Sequence, residues 1–292
     1  LGRLYVALNR SDLAAVRVAY AQVVTELERY PEAGWVVAPA RHFHTQLLRR
    51  AGEYAELGQQ LSGWISLLHD LGQQQHMTLL LVEEVIVLAQ SGDLQLARSS
   101  LERARAAWPV GDYTFVDYLR NVGEIWLLLG EGDAAAARAL AERTRDEVHR
   151  HRLARFKMMK IRMHETWVVA TLADAIARDD ADAVPGRRTL RVLRRSKMPK
   201  FVATSWILEA GGASLHDDRE HEIHLWREAL KCCETMELRG FAAAVRVRLA
   251  ELGVDDRDAL QTAAHDYFVA QRIADVDRLV DLLAPARRRG DR

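Results

Sequence analysis

Apolar residues return along this chain at helical spacing, in blocks that end in a short turn carrying glycine or an acid. Leu79, Val82, Val85, Ile86 and Leu88 lie three and four residues apart and mark one face of a helix. Leu94, Ala97, Leu101 and Ala104 mark a second, and Gly92 and Asp93 stand between the two. The same order of apolar tail, turn and Ala/Arg/Leu-rich helix reads ALNRSDLAAV around Asp12, LLRRAGEYAEL around Glu53, VLAQSGDLQLA around Asp93 and LLLGEGDAAAA around Asp133. Weaker copies surround Asp180 and Asp218, and the successive acids are 41, 40, 40, 47 and 38 residues apart. A period of ~40 with two helices per period predicts stacked helical hairpins.

The first helices of successive hairpins are expected at 1–9, 36–51, 76–91, 113–130, 153–178, 200–215 and 238–252. Their partners are expected at 12–29, 54–71, 94–107, 134–151, 181–196, 219–236 and 256–283. Asp12, Asp93 and Asp133 are placed to cap second helices by accepting from free N–H groups. Gly52, Gly92 and Gly132 stand where a left-handed residue ends a helix. Pro31, Pro109 and Pro199 fall between hairpins, and Pro185 is expected in the first turn of the 181–196 helix or at a kink in it. No Ser/Gly/Pro linker divides the chain, so residues 1–283 read as one array, its last segment a capping helix, and 284–292 as a frayed tail. The chain opens at Leu1 in what reads as mid-hairpin, which suggests the C-terminal part of a longer polypeptide.

Composition supports an all-α chain: glycine and proline are scarce and fall mostly between the periodic blocks. Formal net charge is zero, which gives no broad attraction to nucleic acid. Cys232 and Cys233 are neighbours, poorly placed to bridge each other, and point to a reducing, cytoplasmic setting. Acids break the longest apolar runs, so no membrane span is expected.

The period and small-residue pattern resemble the tetratricopeptide repeat, with Gly123, Trp126 and Leu129 in the style of its first helix and Ala137 and Ala141 of its second. The closing proline of that repeat is mostly missing and the period exceeds its usual length of about 34 residues. The resemblance implies a right-handed superhelix of antiparallel hairpins, about six to seven of them, with the first helices lining a groove. A narrower resemblance covers residues 75–178, where ARSSLERARAAWP, DYTFVDYLRNVGEIWLLLGEGDAAAA and RLARFKMMKIRMHETWVVATLA are similar to the C-terminal helical regions of bacterial eukaryotic-like serine/threonine protein kinases. The Trp108-Pro109 pair and the basic-apolar run Arg155–Arg162 carry that likeness. It implies a regulatory repeat region of such a kinase. Nucleotide-switch transcription activators, which own similar arrays, stand as the alternative parent.

Catalytic signatures are missing from the sequence: it has no kinase or Walker A motif, and HETW at His164 lacks the second histidine of a zinc site because position 168 is Val168. No catalytic residue, metal site or cofactor is therefore expected. His216, Asp217, Asp218, His221, Glu222 and His224 read as a capped helix start rather than a metal centre. The seven tryptophans, about one per hairpin, read as packing residues, with Trp35 and Trp108 nearest to turns.

Between Arg143 and Lys200 there are 16 Lys/Arg against 7 Asp/Glu. Arg155, Lys157, Arg187, Arg188, Arg191, Arg194 and Arg195 form a candidate docking strip for an acidic or phosphorylated segment, or for the acidic half of another copy. The competing reading is a solvated face. The candidate groove residues are His42, Glu83, Arg120, Asn121, Glu124, Lys160, His164 and Ser205. Three functions follow: docking of a protein or peptide partner or of the polypeptide's own upstream domains, sensing of a small ligand held inside the superhelix, and self-association.

Overall fold

The structure is a computed structural model and describes residues 2–10, 12–29, 36–108, 111–216, 218–254 and 256–288. Among them are fifteen α-helices and no strand. The first half contains α1 (Gly2–Arg10), α2 (Leu13–Arg29), α3 (Val37–Ala51), α4 (Tyr54–Asp70), α5 (Gln74–Ser91), α6 (Leu94–Ala107), α7 (Phe115–Gly130) and α8 (Ala134–Arg150). The second half contains α9 (Lys157–Ala177), α10 (Arg187–Arg195), α11 (Pro199–Ala213), α12 (Arg219–Thr235), α13 (Arg239–Glu251), α14 (Arg257–Ala270) and α15 (Val276–Leu283). Consecutive helices pack on one another, which makes the chain a helical-repeat array. None of the described helices is long and apolar enough to cross a membrane.

The acidic turns cap as the sequence predicts at Asp12, Asp93 and Asp133, and Asp180 and Asp218 do the same. Asp12, Asp93, Asp133, Asp180 and Asp218 each accept from the backbone N–H three residues on, at 2.9–3.3 Å. Glu53 makes no such cap and instead pairs with Arg239 at 3.2 Å. Gly52 and Gly92 hold left-handed backbone at φ 84° and 97°, as their place after a helix requires.

Helices α5, α9 and α11 are buried on most of their circumference, whereas α4, α6, α8 and α12 bury one face. The first helices therefore make an inner layer and their partners an outer one. Trp226 is fully buried, Trp126 nearly so, and Trp64, Trp108, Trp167 and Trp206 pack at the core edge; Trp35 and Pro31 lie outside the described residues, as does Pro109.

The two ends of the array meet. α13 packs on α3, and α15 packs on α5, α7 and α13. Segment α13–α15 and residues 284–288 lie across the C-terminal ends of the inner helices. After α3, the Gly52 carbonyl accepts from the Tyr267 hydroxyl. After α5, the Gly92 carbonyl accepts from Arg278. Asp179, after α9, pairs with Arg287, and Ser214, after α11, accepts from the Arg287 backbone N–H. Helix ends leave free carbonyls, and arginine donors satisfy them well. The result is a cup of inner helices with a C-terminal floor.

Three expectations need correction. Residues 284–288 do not fray: Ala284 and Ala286 are buried, and Arg248, 2% exposed, donates to the Ala284 carbonyl at 2.8 Å; residues 289–292 lie outside the described set. The segment 256–283 is two helices, because the chain turns at Arg272 (φ 56°) and Asp275 caps a new start. The 181–196 helix shrinks to α10, since Pro185 disfavours helical backbone at Val184 and leaves only a 3-10 turn at Ala181–Ala183 before it. Pro185 thus precedes the helix instead of opening or kinking it.

Candidate functional site

The interior of the cup is polar, and the sequence pattern explains why. On α3, His42, Gln46 and Arg50 are four residues apart and share a face, with Arg49 beside them. Arg49 donates to Glu83 of α5 at 2.7 Å, both groups being almost fully buried. Lys200, in the first turn of α11, pairs with Glu165 of α9. Those two pairs neutralise each other. Arg50 and Arg162 are left over. Arg50 is 5% exposed and reaches only the Leu8 carbonyl at 3.2 Å and the Gln46 side-chain oxygen at 3.5 Å. Among the described residues neither Arg50 nor Arg162 pairs with a carboxylate.

Electrostatics record the crowding. Burial, then Arg162 and Arg49, push the Arg50 guanidinium down to about 9, where it is still protonated at neutral pH. Burial lowers Lys200 to about 8 against the pull of Glu165. Burial works to raise the Glu83 carboxyl, but Arg49, His42 and Arg162 outweigh it and hold it below the usual range. Burial drops His42 to about 4, so the ring is neutral at pH 7. Its Nε2 lies 2.6 Å from the Gln46 amide nitrogen. With the Gln46 oxygen facing Arg50, that nitrogen donates, Nε2 accepts, and the ring proton sits on Nδ1, which is buried with no acceptor.

Above this cluster opens a cavity of about 330 Å³. Its polar lining comes from His42, Gln46, Arg50, Gln75, His76 and Arg162. Its apolar wall is Leu8, Phe43, Leu79, Met158 and Met159, and partly exposed Tyr5 and Phe115 form the rim. Gln75 and His76 belong to the first turn of α5, Phe115 opens α7, and Met158 and Met159 lie in the first turn of α9. The inner helices thus present their N-terminal ends to the mouth, opposite the floor that covers their C-terminal ends. Neither α5 nor α9 has a side-chain cap there.

The candidate groove residues do not line one open channel. His42 and Glu83 meet in the interior. Ser205 is fully buried and accepts from Arg194 at 3.1 Å. Arg120 holds Asp117 and the Trp108 carbonyl, Asn121 donates to Thr144 of α8, and Glu124 pairs with Arg105 of α6. Those three tie α7 to its neighbours. His164 donates to the Thr189 carbonyl at 2.8 Å and docks α9 to α10, while Lys160 is exposed. Sequence reasoning missed Arg50, Arg162, Gln46 and His76; the four-residue spacing of His42, Gln46 and Arg50 on an apolar helix was the available signal.

The basic strip divides into two kinds of residue. Arg194 stacks over Trp206, with 3.8 Å from guanidinium carbon to ring centre, and pairs with Glu209, which also meets Arg187 at 3.4 Å. Arg188, Arg191 and Arg195 are exposed and, among the described residues, pair with no carboxylate. Arg155 and Lys157 are exposed at the start of α9. Asp217 of the histidine-rich turn lies outside the described residues, and no group of three metal-capable side chains occurs among those described. No family model, curated protein or solved structure matches this chain.

Proposed function

We propose that this chain is a non-catalytic ligand-sensing module, a right-handed superhelix of six to seven hairpins that holds a small organic molecule at the mouth of its interior. The supporting observation is the 330 Å³ cavity bordered by two guanidiniums that have no carboxylate partner. Cavities of that size take small molecules, and convergent buried polar groups with apolar walls are what fix their orientation. The cavity joins α1, α3, α5, α7 and α9, so occupancy stiffens contacts among the inner helices from α1 to α9. Within a bacterial serine/threonine kinase or a nucleotide-switch activator, such a module would report occupancy to the catalytic or ATPase unit.

The test is thermal unfolding against a panel of small neutral, cationic and anionic organics, with His76→Trp as the comparison. His76 is half-exposed at the mouth, so the larger ring obstructs entry without overpacking the core. A compound class that raises the midpoint of the native chain and not of the variant supports sensing. A panel that leaves the native chain unmoved refutes it.

Docking has separate support in the unpaired Arg188, Arg191 and Arg195 on α10. Charge reversal at these three sites removes binding of an acidic or phosphorylated peptide if the strip docks one. Unchanged peptide binding by the folded variant makes the strip a solvated face.

A further inference from the structure

We infer that the ligand of the mouth cavity is an organic acid, a single carboxylate carried on an apolar body. This rests on the sensing reading above and narrows it to a chemical class.

The charge arrangement carries the argument. Glu83 and Glu165 are engaged by Arg49 and Lys200, so Arg50 and Arg162 remain as two cations facing a shared space. After burial, Arg162 is the largest cause of the fall in the Arg50 pKa. Arg50 is buried and Arg162 half-buried, and a buried cation whose nearest carboxylates, here Glu165 and Glu83, are engaged by other cations is costly to keep charged. An anion placed between them offsets the cost of the buried Arg50 charge and accepts charge-assisted hydrogen bonds from planar forks suited to a carboxylate.

Backbone direction agrees. First-turn residues of α5 and α9 line the cavity, and neither helix start has a side-chain cap. Free N–H groups and the positive end of the helix dipole favour negative charge at that place. Helix starts alone would not make a site; here they surround two guanidiniums that pair with no carboxylate among the described residues.

The rest of the wall selects the body of the ligand. Leu8, Phe43, Leu79, Met158 and Met159 give the acid an apolar seat, and methionine adapts to irregular shapes. A chain of about eight carbons fits a space of this size. A cation would meet Arg50 and Arg162 directly, and a neutral alcohol would bring them no counter-charge.

Isothermal titration of the full chain with octanoate, octanol and octylammonium tests the class. Octanoate is expected to bind at least about tenfold more tightly than octanol, with octylammonium not binding. Arg162→Gln should weaken octanoate by about 10- to 100-fold and leave octanol unchanged, while Arg162→Lys keeps part of the affinity. Urea midpoints of both variants show that they remain folded. If octanol binds as well as octanoate, or Arg162→Gln has no effect, the acid assignment is overturned and sensing of a neutral ligand survives. If none of the three probes binds while another compound shifts the unfolding midpoint, the assignment again falls alone. If nothing binds in either experiment, both readings fall.

Discussion

The hydroxyl of Tyr267 donates to the backbone carbonyl of Gly52 at 2.6 Å, across 215 residues of chain. Burial, then Tyr54 and the Glu53 carboxylate nearby, hold that phenol well above its usual range, so it stays a donor. Gly52 is left-handed at φ 84°, and a Cβ built there would overlap the Tyr267 hydroxyl and come within 2.5 Å of the Gly240 backbone nitrogen. One turn thus joins the start of the array to its end.

Gly52→Ala should cost about 2–4 kcal/mol, from left-handed strain and the lost approach together. Tyr267→Phe should cost about 1 kcal/mol. Because both break one contact, the double variant should lose much less than the sum of the two. Urea unfolding of the four chains measures the coupling; strict additivity would mean that the ends do not meet at this turn.

The floor makes a second prediction. A Cβ on Gly211 would run into the Pro285 carbonyl, whereas one on Gly63, in α4, meets nothing within 4 Å. Gly211→Ala should lift residues 284–288 and speed tryptic cleavage after Arg287. Gly63→Ala should leave cleavage unchanged and add about 0.5–1 kcal/mol of stability by favouring the helix.

Acid should loosen the interior before it reaches the carboxylates. His42 falls from 6.5 to about 4 by burial, and His44 does likewise. The depressed folded value means that the unfolded chain takes up protons first as pH drops below 6.5. The stability tied to the neutral ring is therefore present above 6.5 and lost down to about pH 4, for His42 on the order of 3 kcal/mol. His42→Gln should flatten the decline in urea midpoint between pH 7 and 5. An unchanged slope would mean that His42 is not buried neutral.

Helix positions were legible because the Gly and acid turns recur, and Asp93 and Asp133 cap where the sequence places them. The floor was not legible. Arg248, Arg278 and Arg287 look like solvated charges, yet each donates to the backbone carbonyl or acid at the end of a distant element. The break at Arg272 was missed because no glycine or proline marks it; Asp275, followed by Val276, Leu279 and Val280, was the available cue. At the site, His42 and Glu83, read from the sequence as groove residues, lie buried in the interior, while Arg50 and Arg162 escaped notice because arginine in a charged run reads as exposed. The alternation Met159, Lys160, Ile161, Arg162 puts Lys160 outward and Arg162 towards the cavity.

The most direct measurement is hydrogen exchange on the chain with and without saturating octanoate. Added protection is expected in the first two turns of α5 and α9 and along α3, with the outer helices α4, α6 and α12 unchanged. Protection confined to the outer helices, or none anywhere, would contradict a ligand held at the mouth of the cup.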